Sequence, residues 1–329
     1  WQGMIPKSLM PEEFNPARGF IVSANNNMLP NDYPYFVSSD WAPDARARRI
    51  NQLIASKISA KQLLTQEDQL LFQQDVLDLE ALKLLPHLLL QTTQSDELSE
   101  AMGYLREWDG FAGKNSIAAS IYFMWLPQIK RQVFEDELHA FHLQRNLDDG
   151  IDTLLDAISN DKLILALSDP EERWCDDLST KVRENCEDIK RASLNVAIDE
   201  LQKYFGSDLN HWFWGKLQNV YLSHQPFSQV KGLSTMFERR FPSGGSPNTV
   251  NAVDGRFDLN EGYLATFGTS LRQVIQIGDN QVHHLYMNSG GQSGNATSVN
   301  FDDAIELFSE GRYFTTPDCR DCARQGEQP

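Results

Sequence analysis

The sequence has no apolar run near the ~20 residues that a membrane-spanning helix requires, and no basic, apolar, small-residue order at its N-terminus that would mark a secretory leader. Positive charge is scarce: 29 lysines and arginines stand against 46 aspartates and glutamates, a net of −17. That balance disfavours broad attraction to phosphate backbones or anionic lipid, so nucleic acid is not an expected partner. No G-x-S-x-G, H-E-x-x-H or phosphate-loop motif occurs, which removes the usual signatures of α/β-hydrolases, zinc proteases and nucleotide-binding loops. Internal repeats and low-complexity tracts are lacking too, and the chain opens on Trp1 rather than methionine. At 329 residues it is long enough to bury a large core.

Cysteine is rare. Cys175 and Cys186 lie eleven positions apart, which on a helix is about three turns and one face, while Cys319 and Cys322 form a C-x-x-C in a polar tail. A straight helix would hold the first pair too far apart to bridge, so a link between them needs a turn. A four-thiolate zinc site normally comes as two close pairs, and the wide first pair argues against one. Disulfide pairing is the preferred reading, with free thiols and zinc as the alternatives.

The stretch Ala17-Arg-Gly-Phe-Ile-Val-Ser-Ala24 carries β-branched and aromatic residues and reads as a strand ending at three asparagines. From Asp44 to Ser56 the pattern turns helical, with Ile50, Leu53 and Ile54 on one face. Helical spacing continues over 59–91, where Pro86 imposes a kink or a stop, and over 96–107, 117–145, 151–167 and 187–205. Beyond about residue 225, glycine, serine, asparagine and short β-rich runs take over, at 242–253, 263–279 and 282–291. Strands at both ends with helices between them predict an α+β arrangement, its sheets assembled from distant parts of the chain. The expected organisation is one domain of strands and an asparagine loop (1–40), a mainly helical part (41–225), strands with a closing helix (226–315) and a loose tail (316–329).

Residues 15–50, NPARGFIVSANNNMLPNDYPYFVSSDWAPDARARRI, join this first strand to the asparagines and then to an arginine-studded helix start. Together with FGTSLRQVIQIGD (267–279) and GGQSGNATSVNFDD (290–303), this order resembles the penicillin acylase family of N-terminal-nucleophile hydrolases, over nearly the whole chain. The resemblance implies part of a four-layer αββα sandwich, with Asn25 as an oxyanion-hole donor, Asn26 as its alternative by one position, and Arg46 orienting the asparagine. Arg48 and Arg49 read as structural or exposed.

In that family the nucleophile is an N-terminal serine whose own α-amine serves as base. Trp1 has the amine without the hydroxyl, so this chain reads as the C-terminal portion of a catalytic subunit, inactive alone. Its expected partners are an upstream segment carrying the serine and a small N-acyl amide, either a β-lactam side chain or an N-acyl homoserine lactone. A non-catalytic binding domain, associating with its upstream half or with itself, is the alternative. The resemblance further implies a periplasmic or secreted protein and calcium in the intact enzyme. Asp40 is the nearest carboxylate for that ion, with Val37 as the alternative occupant of the aligned place, and no other cofactor is expected.

Several weaker signals have plainer readings. Ser159-Asn-Asp-Lys162 matches S-x-x-K without a K-T-G companion. His283 and His284, adjacent on a strand, would point to opposite faces. Asn295-Ala-Thr297 is a sequon by pattern alone, and Gly290, Gly291 and Gly294 shape a tight loop. Ser298-Val-Asn-Phe301 departs from the family's S-P-H-Y. Trp108, Trp212 and Trp214 read as core and corner residues.

Overall fold

The computed structural model describes residues 3–93, 95–145, 150–278 and 282–316, so Trp1, Cys319 and Cys322 lie outside the described residues. Residues 3–44 form no strand and no α-helix; one 3-10 turn, Lys7–Leu9, interrupts them. The predicted strand over 17–24 is therefore corrected. Its residues are suited to a strand, but a strand also needs a neighbour's N–H and C=O groups, and among the described residues none pairs with it.

The helical part follows as α1 (Ala45–Ser59), α2 (Gln66–Phe72), α3 (Leu79–Leu88), α4 (Asp96–Glu107), α5 (Ile117–Arg145), α6 (Ile151–Ala157), α7 (Asn160–Leu167) and α8 (Cys186–Phe205). The helix expected over 59–91 is broken in two because each piece carries its own start signal. Thr65 and Asp68 form a reciprocal capping box on α2, and Asp78 accepts from Ala81 N–H at the head of α3. Pro86 sits in the last turn of α3, which ends two residues later. The segment 151–167 divides similarly at Ser159, whose hydroxyl accepts from Lys162 N–H at 3.4 Å. The S-x-x-K pattern is thus a helix cap.

α5 packs along α8 and forms the centre of the main core, with Trp125, Tyr122 and Ile129 on one side and Leu194, Ala197 and Leu201 on the other. Pro127 lies inside α5 and has no N–H to offer the carbonyl of Phe123, four residues back. That carbonyl instead accepts from Tyr263 Oη at 2.9 Å, so the gap in the helix becomes a tie to the sheet. Trp108, Trp212 and Trp214 are buried as expected, at 9, 0 and 2 % exposure, and each indole N–H donates to a backbone carbonyl.

Cys175 and Cys186 form a disulfide with a Cα–Cα distance of 4.9 Å. Cys175 ends a 3-10 turn and Cys186 begins α8, which supplies the turn that a bridge needs and removes both sulfurs from metal binding. The bridge closes a loop spanning a sequence separation of 11. Replacing both cysteines with alanine is expected to lower unfolding stability by about 3 kcal/mol, read from urea denaturation of the oxidised chain and the variant. An unchanged midpoint would mean that the reduced loop is already constrained.

The remaining elements are α9 (Trp214–Leu217), β1 (Gln218–Leu222), α10 (Ser234–Phe237), β2 (Arg239–Pro242), β3 (Val253–Asp258), β4 (Gly262–Gly268), β5 (Leu271–Ile277), β6 (Val282–Asn288), α11 (Ile305–Ser309) and β7 (Phe314–Thr316). They build two sheets, ordered β2-β1-β4-β3 and β5-β6-β7, antiparallel except for the parallel pair β1 and β4. The loop 243–252 threads between the helices and the first sheet. Gly245 has φ +95°, and a Cβ there would stand 2.3 Å from Asn251 O, so only glycine fits. Ser246 Oγ donates to the buried carboxylate of Asp78 at 2.6 Å, fastening this loop to the head of α3.

Candidate functional site

Asn25 takes a left-handed backbone conformation, φ +63°, which asparagine tolerates better than most side chains. Its carbonyl accepts from Ala42 N–H at 3.0 Å, which closes the asparagine loop against the residues leading into α1. Arg46 stands in the first turn of that helix and donates from Nη2 to Asn25 Oδ1 at 2.9 Å. A guanidinium can only donate, so the contact sets the amide: its oxygen faces Arg46 and its NH2 faces away. Among the described residues that NH2 makes no hydrogen bond, and Asn25 is exposed.

Asn26 is placed differently. Its Oδ1 accepts from Ala24 N–H at 3.2 Å and its Nδ2 donates to Asn27 O at 3.3 Å, so both ends of the amide are occupied locally. Asn27 Oδ1 accepts from Leu29 N–H at 2.9 Å, a turn-forming contact. The structure therefore brings Arg46 together with Asn25 and not with Asn26.

The three arginines of α1 have distinct partners. Arg48 pairs with Asp44 and Glu80, at 2.8 and 2.7 Å, and Arg49 pairs with Asp75. Arg46 has no carboxylate within ion-pair distance among the described residues, so its charge acts on the Asn25 amide. Partial burial lowers its pKa, but an arginine starts so high that it stays charged. Asp75 and Glu80 were not singled out by sequence, since nothing in it distinguishes them from solvated charges.

Asp40 is exposed and, among the described residues, engages Ser38 through its backbone, its N–H donating to Ser38 Oγ at 3.0 Å and its carbonyl accepting from that hydroxyl at 3.3 Å. Among the described residues no group of three or more His, Cys, Asp or Glu side chains is placed to hold a metal ion. A hard cation needs six or more oxygens, so the donors around Asp40 do not fit calcium by themselves. His284 shares a 3.2 Å contact with Thr316 across β6 and β7, and Asn295 Oδ1 accepts from Thr297 N–H and Oγ1 in a local turn.

Chemically, the arrangement is a neutral, directional N–H donor fixed from behind by a cation. It suits negative charge developing on an oxygen. It supplies no nucleophile: among the described residues no serine, cysteine or histidine side chain is hydrogen-bonded to Asn25 or Arg46.

No helix among the described residues is long and apolar enough to cross a membrane. The family described as penicillin amidase matches residues 1–322. The chain is 26 % identical to an acyl-homoserine lactone acylase, QuiP, of Pseudomonas syringae pv. syringae over 96 % of its length, covering 39 % of that relative. It is 25 % identical to a penicillin acylase 2 proenzyme of Pseudomonas sp. SE83 over 94 % of its length, covering 38 % of that protein. A thermostable penicillin G acylase from Alcaligenes faecalis superposes with a TM-score of 0.59 at 18 % identity, covering all of this chain and 59 % of that one. The chain thus spans about two fifths of the curated relatives it matches. Its mixed helices and sheets take the N-terminal-nucleophile hydrolase fold, and the family match runs nearly end to end: the chain belongs to the penicillin amidase family.

Proposed function

We propose that this chain is the oxyanion-bearing part of an amide hydrolase that cleaves N-acyl homoserine lactones to a carboxylic acid and an amine. The observation that carries the reading is the Arg46–Asn25 contact, which leaves the Asn25 NH2 open and directed. In this scheme a serine at the N-terminus of a segment outside this chain attacks the acyl carbonyl. Its α-amine, with an unperturbed pKa near ~8, takes the hydroxyl proton. As the carbonyl oxygen gains charge, Asn25 donates to it; the α-ammonium returns its proton to the nitrogen as the C–N bond breaks, the amine leaves, and water, deprotonated by the same α-amine, hydrolyses the seryl ester to the carboxylic acid and free serine. Asn25 touches the reacting oxygen; Arg46 acts through Asn25.

The substrate class is supported by relatives named as acyl-homoserine lactone acylases, and the side-chain amide of a β-lactam is the runner-up, supported by one named as a penicillin acylase. A serine-bearing partner is supported by residues 17–24, which pair with no strand among the described residues, and by Phe14, Ile21 and Phe36, exposed at 81, 56 and 78 %. The Cys175–Cys186 disulfide supports an oxidising compartment such as the periplasm.

The chain should be incubated alone, and with a serine-led segment supplied by co-expression, against a long-chain N-acyl homoserine lactone and a chromogenic N-acyl anilide. Release of the amine only in the mixture is expected. Turnover by the chain alone would overturn the reading and turn attention to its internal serines and histidines.

A further inference from the structure

Arg49 meets Asp75 along both forks, Nε to Oδ1 at 2.9 Å and Nη2 to Oδ2 at 2.6 Å. The two side chains are only 16 and 9 % exposed. Paired, planar hydrogen bonds of this kind fix orientation as well as distance. Asp75 is itself held from the other side. Its Oδ1 also accepts from Leu77 N–H at 3.2 Å, and its carbonyl accepts from Asn251 N–H at 2.9 Å. The Asn251 side chain in turn accepts from the buried Arg272 at 2.9 Å, whose other nitrogen donates to Phe308 O at 2.9 Å.

Arg49 lies three residues after Arg46, so the two are neighbours on one face of α1. A change of one position in the facing of the helix, about 100° of rotation, would carry Arg46 away from Asn25. Arg48 restrains this rotation less, because its side chain is 42 % exposed and splits its bonds between Asp44 and Glu80.

We infer that Arg49 and Asp75 are positioning residues for the oxyanion donor: their forked ion pair fixes the rotation of α1 that aims Arg46 at Asn25. The inference rests on the reading of Asn25 as that donor. It extends the functional unit from a loop and a helix to the segment before α3 and, through Asn251, to the strand-bearing part of the chain.

The test is a double-mutant cycle in the assembled enzyme. Asp75→Asn keeps the shape and removes the charge; it is expected to lower kcat about ten-fold with KM unchanged. In an Asn25→Ala background the same substitution should change kcat by no more than about two-fold, because no donor remains to be aimed. Arg49→Lys, which keeps the charge and loses the fork, should fall between and provides the same cycle if Asp75→Asn does not fold. Equal losses in both backgrounds, or a raised KM with kcat intact, would overturn the positioning role.

If Asn25→Ala alone leaves kcat untouched, it is the donor reading that fails. A readout without catalysis then still decides the inference: the side-chain NH2 signal of Asn25 in the nitrogen-15-labelled chain, assigned by its loss in Asn25→Ala. Asp75→Asn should move that signal in the same direction as Arg46→Ala does, and a stationary signal would overturn the inference.

Discussion

Asn25→Ala is expected to lower kcat of the assembled enzyme by about 100- to 1,000-fold, the usual cost of removing one oxyanion donor. The accompanying loss of stability should be small, about 1 kcal/mol: alanine tolerates the left-handed backbone at φ +63° less well than asparagine, while Asn25 is exposed and its one side-chain bond, to Arg46, is to a group that water can also solvate. The loss should fall on kcat rather than KM, since the charge on the oxygen exists only as the reaction proceeds. Asn25→Asp makes a sharper test. An aspartate would bind Arg46 more strongly, yet it offers acceptors where a donor is required, so it should be at least as inactive as alanine. Asn26→Ala should leave turnover near normal, since its amide is spent on Ala24 and Asn27. A kcat within about two-fold of the parent in Asn25→Ala would reduce Asn25 to a turn residue; the same loss from Asn26→Ala would move the role by one position.

The second large effect concerns stability. Trp125 is fully enclosed between α5 and α8, and its indole donates to Ser193 Oγ at 2.8 Å. Trp125→Ala removes a large side chain from a close-packed centre and is expected to cost about 3–5 kcal/mol in urea denaturation. That is a substantial share of the ~5–15 kcal/mol that holds a typical domain folded. Ser193 is not orphaned by the change, because its hydroxyl also donates to Lys190 O at 2.9 Å, so the loss reports mainly the cavity. Trp125→Phe should cost less than half as much. A loss below about 1 kcal/mol for alanine would show that the α5–α8 seam closes over the gap.

These two residues also mark how far the sequence could be read. The α4, α5 and α8 helices were legible because apolar spacing and capping residues agree, and the α+β class followed from the late β-rich runs. The breaks at Ser159 and Asp78 were written in N-cap residues, which periodicity alone passes over. Residues 17–24 misled for a different reason: composition records what suits a strand, while pairing depends on a neighbour that sequence does not locate. At the site, Asn25 and Arg46 were reached through family resemblance, since three successive asparagines otherwise read as a turn. The Arg49–Asp75 fork had no local signature, because its partners stand 26 positions apart and Asp75 looks like any acidic surface residue.

The short segment between α2 and α3 holds groups that the ribosome supplies much later. Gln73 donates to the carbonyl of Gln273, 200 positions on, and accepts from Tyr313, 240 positions on, while Gln74 donates to Gly311 O, 237 positions on. Contacts so distant along the chain carry a loop-closure cost that local helical contacts avoid. During synthesis the helices can therefore gather first, while Gln73 and Gln74 stay hydrated until β5 and the β7 region emerge. Asp75, next in line, gains its bond from Asn251 N–H only once the loop before β3 has arrived. The set of restraints that aims Arg46 is thus incomplete until Asn251 has been made, and a nascent chain stalled before residue 251 would carry Asn25 without everything that gives it direction.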